Sequence, residues 1–150
     1  MNILSIDTSG NKYSLSVLKE KQLITFQDKS DNVSSESILV EIDSIVSKCG
    51  LSPKHINTLI YNNGPGSFTG VRVSSAIVQA IGFSNNCPVY GINALNLDAY
   101  YLFKKHISQK IQIAKKAFGE QIFHGLFQVS EKVCLAEESI SIIPFSEVKV

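Results

Sequence analysis

The sequence predicts an α/β domain, on three observations. Short apolar runs bounded by turn residues alternate with stretches whose apolar residues recur at helical spacing. A glycine-rich segment, Gly64 to Gly70, lies between one such strand and one such helix. Hydrophobic residues make up 44% and charged ones 18%, a balance that fits a packed core and excludes disordered, collagenous or coiled-coil classes. At 150 residues a single domain can bury about two-thirds of its unfolded surface.

The elements follow in order. Ile3-Leu4-Ser5-Ile6 is an apolar run ending at Asp7, and Thr8-Ser9-Gly10-Asn11 is a turn cluster. Tyr13, Leu15 and Val17 alternate with polar neighbours, and Leu23 to Phe26 completes a three-strand meander. Val33-Ser34-Ser35-Glu36 supplies capping hydroxyls to a helix over 35–49, striped by Ile38, Leu39, Ile42, Ile45, Val46 and Cys49 and closed by Gly50. Ser52-Pro53 starts one further turn before the strand Thr58 to Tyr61. After the glycine segment, Val71 to Phe83 reads as a helix and Pro88 to Ile92 as a strand. Asn93 then caps a helix carrying Leu95, Leu97, Tyr100, Leu102 and Phe103. Ile111 to Ala114, Gln121 to Val129 and Lys132 to Leu135 read as further strands. Three meandering strands followed by a helix and alternating strands is the order of the ribonuclease H-like and actin-like folds.

Charge and cysteine content narrow the function classes. A formal net charge of +1 gives no global field, so any nucleic-acid contact needs a local patch. Lys104, Lys105, Lys110, Lys115 and Lys116 are the one basic concentration, read as solvated loop charges in preference to nucleic-acid contacts. Cys49, Cys87 and Cys134 are odd in number and form no CxxC pair, which predicts buried free thiols. Neither a signal peptide nor a membrane span is legible near Met1, and the expected compartment is the cytoplasm.

The segment Asn62 to Gly70 carries the chemical question. A strand-to-helix loop can hold an anion on backbone N–H groups and the helix dipole, but glycines there also serve sharp turning and close packing without any ligand. Thr69-Gly70 stands where a P-loop has glycine and lysine, and Gly64-x-Gly66-x3-Gly70 misses the dinucleotide spacing by one residue. Arg72, the sole arginine beside thirteen lysines, could bind phosphate or carboxylate, or tie the loop to a neighbour or partner; the structural or partner role is favoured. Asp7 ends the first strand where both folds place a carboxylate, yet the fourth strand ends in neutral Asn62 and Asn63, whereas two-metal chemistry needs converging acids. An Asx-type turn is therefore the expected role of Asp7. His55, His106 and His124 have no zinc spacing, and no Gly-x-Ser-x-Gly elbow occurs. The sequence predicts no catalytic set, no metal and no cofactor.

Ile3-Leu4-Ser5-Ile6-Asp7-Thr8-Ser9 and, above all, Gly64-Pro65-Gly66-Ser67-Phe68-Thr69-Gly70-Val71-Arg72 resemble the TsaB (YeaZ) family. Matching spacing continues through Ser35-Glu36, Leu51-Ser52, Pro88 to Ile92 and, more loosely, Phe123 to Phe127. The resemblance implies an actin-like (ribonuclease H-like) βββαβα core, with a first lobe over 1–105 and a shortened, truncated second lobe over 106–150 packed with it. It implies a noncatalytic subunit that binds and activates TsaD in threonylcarbamoylation of adenosine-37 of tRNAs reading ANN codons. TsaD is its heterodimer partner, TsaE joins through the complex, tRNA is met only within it, and a homodimer is a further possibility. Asp7, Thr8, Ser9, Gly64, Gly66, Ser67, Thr69, Gly70 and Arg72 then form a vestigial nucleotide loop. Ser35, Ile38, Leu39, Ile42, Ile45 and Val46 form the partner interface. The alternatives are a nucleotide-binding actin-like enzyme using the Gly64 to Gly70 loop, and a fragment of an actin-like kinase.

Overall fold

The computed structural model describes residues 1–28, 35–106 and 108–148. The chain divides into two compact units, Met1–Ile92 and Asn93–Val150.

The first unit is a five-stranded sheet with two helices on one face. Strands β1 (Asn2–Asp7), β2 (Ser14–Lys19) and β3 (Gln22–Gln27) form the expected antiparallel meander. Helix α1 (Ser35–Lys48) then leads to β4 (Thr58–Asn62), helix α2 (Phe68–Asn85) and β5 (Val89–Ile92). Strands β4 and β5 run parallel to β1, giving the order β3-β2-β1-β4-β5. This is the actin-like βββαβα core. Period-two alternation puts Leu4, Ile6, Leu15, Val17 and Leu59 on one face, where they are fully buried. Ile38, Ile42, Ile45 and Val46 of α1 and Ile77 and Val78 of α2 close over that same face as one core.

Helix boundaries show where local chemistry overrode the apolar pattern. Helix α1 ends before Gly50, whose φ of +66° is the left-handed cap expected of it. Of the residues expected to cap its start, Val33 and Ser34 lie outside the described residues, as does the side chain of Ser35. A 3-10 turn, Pro53–His55, begins at Ser52 with proline in its first position. Helix α2 begins three residues earlier than its apolar pattern, because the Ser67 hydroxyl caps it by accepting from the Gly70 N–H at 3.3 Å. Phe68 to Gly70 are thus the first turn of a helix and not loop.

In the second unit, α3 (Ala94–His106) packs on an antiparallel sheet of β6 (Lys110–Lys116), β7 (Gln121–Val129), β8 (Cys134–Ala136) and β9 (Ser141–Pro144). Asn93 starts the helix as expected, its side-chain oxygen accepting from the Leu95 N–H at 2.8 Å. Leu95, Ala99 and Phe103, four residues apart, bury with Ile111, Ile113, Phe127 and Val129. That core holds α3 with the second unit, whereas the sequence reading placed it in a first lobe ending at 105. Strand β9 was not foreseen. Its four residues, Ser141 to Pro144, end in a proline and are too few to show a period.

Leu15, fully buried in the first core, and Leu23, 63% exposed on β3, give matched tests of this arrangement. Leu15→Ala should cost about 2–5 kcal/mol in urea unfolding, and Leu23→Ala less than about 0.5 kcal/mol.

Candidate functional site

The parallel strands β1 and β4 are neighbours, so their C-terminal ends bring Asp7 and Asn62 together. In α/β sheets this end is where ligands bind. Here it is filled by the protein's own hydrogen bonds. The Asp7 carboxylate accepts from the Ser9 N–H at 2.9 Å and the Ser9 hydroxyl at 2.7 Å, both on Oδ1. Its Oδ2 accepts from the Asn62 amide at 3.1 Å. The same amide donates to Ser9 Oγ at 2.9 Å, and Asn62 Oδ1 accepts from the Gly64 N–H at 2.9 Å. The Asx-type turn expected of Asp7 is thus present, and Asn62, only 5% exposed, links it to the glycine segment.

The segment is then laid onto the turn after β1. The Ser67 N–H donates to the Ser9 carbonyl at 2.7 Å, and the Thr8 hydroxyl donates to the Gly70 carbonyl at 2.5 Å. A Cβ at Gly66 would lie 2.6 Å from the Ser9 carbonyl oxygen, and one at Gly70 only 1.8 Å from that of Thr8. Two glycines are therefore required by close backbone approach, the ligand-free one of the two roles open from sequence. The N–H groups of Gly64, Ser67 and Gly70, which an anion cradle would turn outward, are bonded to Asn62, Ser9 and Ser67.

Arg72 does not join this network. It is exposed on α2, with its guanidinium carbon 3.9 Å from the centroid of the Phe68 ring one helical turn before it. Thr69, also expected in the nucleotide loop, lies on the helix surface beside them, lining a shallow cleft with Phe68, Arg72 and Ala76. Of the expected partner residues, Ile38, Ile42, Ile45 and Val46 are at most 3% exposed and belong to the core. Leu39 is 52% exposed, and its neighbour Val40 is 65% exposed. Sequence reasoning missed Val40 and Phe68. The signal available was an apolar residue on the outer face of an amphipathic helix and a phenylalanine in a polar loop.

The remaining candidates are dispersed. Among the described residues, no group of three or more His, Cys, Asp or Glu is placed to hold a metal ion. His55 closes its turn by accepting the Ser52 N–H on Nδ1 at 3.0 Å, while His124 contacts Gln112. The cysteines are free as expected, Cys49 buried and the other two half-buried, and burial pushes the Cys134 thiol up. The lysines expected on loops stand instead at the end of α3 and on β6. Lys105 covers the Tyr101 ring, Lys110 approaches Glu137 at 3.6 Å, and Lys115 meets Asp98 at 3.0 Å. Such half-exposed pairs contribute about 0–1 kcal/mol. No helix among the described residues is long and apolar enough to cross a membrane.

The family model described as "TsaD: tRNA N6-adenosine threonylcarbamoyltransferase" matches residues 29–131. The tRNA threonylcarbamoyladenosine biosynthesis protein TsaB of Buchnera aphidicola subsp. Schizaphis graminum is 30% identical over 123 residues, 82% of this chain and 59% of that protein. The chain belongs to this family, in its TsaB group. The TsaB of Escherichia coli K12 is 28% identical over 131 residues, 87% of this chain and 57% of that one. The fold agrees with the solved structure of YeaZ from Pseudomonas aeruginosa, at a TM-score of 0.87 and 21% identity over 99% of this chain and 69% of that one. This TsaB-group chain spans 59% and 57% of the lengths of those two curated relatives.

The closed network makes its own test. Gly70→Ala, forced onto the Thr8 carbonyl, should destabilise the protein by about 3 kcal/mol, the upper end for overpacking. Asn62→Ala, which strips partners from Asp7, Ser9 and Gly64, should cost about 1–3 kcal/mol. Both are read from urea midpoints.

Proposed function

We propose that this chain is the noncatalytic subunit that binds and activates TsaD in threonylcarbamoylation of adenosine-37 of tRNAs reading ANN codons. The carrying observation is the state of the strand ends. The Asp7 carboxylate there is engaged by Ser9 and Asn62, and the Gly64, Ser67 and Gly70 N–H groups are bonded internally. A transferase site needs groups free to bind phosphate or orient a nucleophile. By contrast, the two helices over the core expose Leu39, Val40, Phe68 and Phe83, which suits a surface completed by another protein.

The relatives' names support a place in threonylcarbamoyladenosine biosynthesis, and the likeness to the TsaD family model supports a role beside TsaD. Under this reading TsaE is met through the TsaD complex, tRNA only within that complex, and the compartment is the cytoplasm. The outer edge of α1, at Leu39 and Val40, is the partner face of that helix, while its inner stripe holds the fold. The alternative, a nucleotide-binding enzyme using the Gly64 to Gly70 loop, has the loop's location in its favour and the internal hydrogen bonds against it.

Reconstitution decides between them. Purified TsaD, TsaC, TsaE, ATP, threonine, bicarbonate and tRNA should form threonylcarbamoyladenosine when this chain is added and little without it. Equal modification in both mixtures would overturn the proposal. Leu39→Glu, at an exposed position, should leave the fold intact and weaken TsaD binding at least about tenfold. Ile42→Glu is no test of binding, since that residue is in the core.

A further inference from the structure

Fourteen basic residues stand in this chain, and thirteen are lysine. Among the described residues a second cation is held over an aromatic ring, and it is a lysine, Lys105 above Tyr101 at 4.6 Å. Stacking alone therefore does not account for arginine at 72. What arginine adds is a planar fork of five N–H donors that grips a carboxylate at two points, which an ammonium cannot do.

The surroundings of Arg72 agree with that use. Its guanidinium carbon stands 3.9 Å from the Phe68 ring centroid, a contact that biases its position before any partner arrives. It makes no salt bridge with an acidic side chain among the described residues. Both residues line a shallow cleft of about 410 Å³ on α2, with Thr69, Val73, Ala76 and Ile77 as the other walls. Apolar walls around an unpaired, oriented guanidinium favour a carboxylate flanked by apolar side chains, and arginine with an aromatic neighbour is the composition of an interface hot spot.

We propose that Arg72, seated on Phe68, is the specificity-determining cation of the partner surface and takes a carboxylate of the partner in a two-point grip. The inference rests on the reading that the outer faces of α1 and α2 receive TsaD. The polarity of the grip selects a partner surface with an acidic side chain among apolar ones.

Titration calorimetry with purified TsaD tests it, using the full chain and Arg72→Lys, Arg72→Ala and Leu39→Glu. Arg72→Lys should lose affinity about tenfold or more and fall close to Arg72→Ala, while thermal unfolding of both stays at the parent value. Raising sodium chloride should weaken the parent more than Arg72→Ala. Parent-like affinity in Arg72→Lys would overturn the inference, because a point charge would then be enough. A lowered unfolding temperature in Arg72→Lys would also overturn it, by showing a structural role. Loss of binding in Leu39→Glu with full binding in Arg72→Ala removes this inference and leaves the surface standing. Full binding in all three removes both.

Discussion

The approach of the Gly70 backbone to the Thr8 carbonyl sets the geometry of the whole first unit. One strand end must sit beside another for β1 and β4 to pair, and the chain leaving β4 must then turn into a helix over the sheet. With a Cβ at position 70 the helix start would be pushed off the β1 turn. Its absence lets Ser67 and Gly70 bond to Ser9 and Thr8 directly. From there α2 can lay Ile77 and Val78 on Leu4, Ile6 and Leu59. The polar network of Asp7, Ser9 and Asn62 then ties the two strand ends together. Under the proposed function, binding falls to the surfaces the helices leave open.

Much of the first unit was legible in the sequence because its signals agree with one another. In β2, Leu15 and Val17 alternate with serine, and in α1 the residues 38, 42, 45 and 46 recur at helical spacing. Each pattern specifies a single face. The stripe on α1 could not be divided between sheet and partner from periodicity, since core and interface residues share the same chemistry. Only burial separates Ile42 from Leu39. The start of α2 was hidden for a different reason. Its first turn holds Phe68, Thr69 and Gly70, which carry no apolar period, and the Ser67 cap is a three-residue interaction inside what reads as loop.

Asn62 was legible as a residue and not as a role. Its neutrality argued against metal chemistry, which is a negative statement. What the structure adds is that one amide touches both the carboxylate and the serine while its oxygen holds the next turn. A side chain that must donate twice and accept once in a buried place has few substitutes. Strand β9 marks the limit in the second unit: with four residues and a proline at its end, only its pairing with β7 makes it a strand.

The division of α1 has a thermodynamic meaning for assembly. Ile38, Ile42, Ile45 and Val46 fix the helix within its own fold, so Leu39 and Val40 are displayed on a backbone already ordered. A surface assembled only on contact would lose conformational entropy at the moment of binding. Here that loss falls on folding instead. Under the proposed function, association at this face is rapid and of modest area, with its strength set by a few outward side chains on a rigid support.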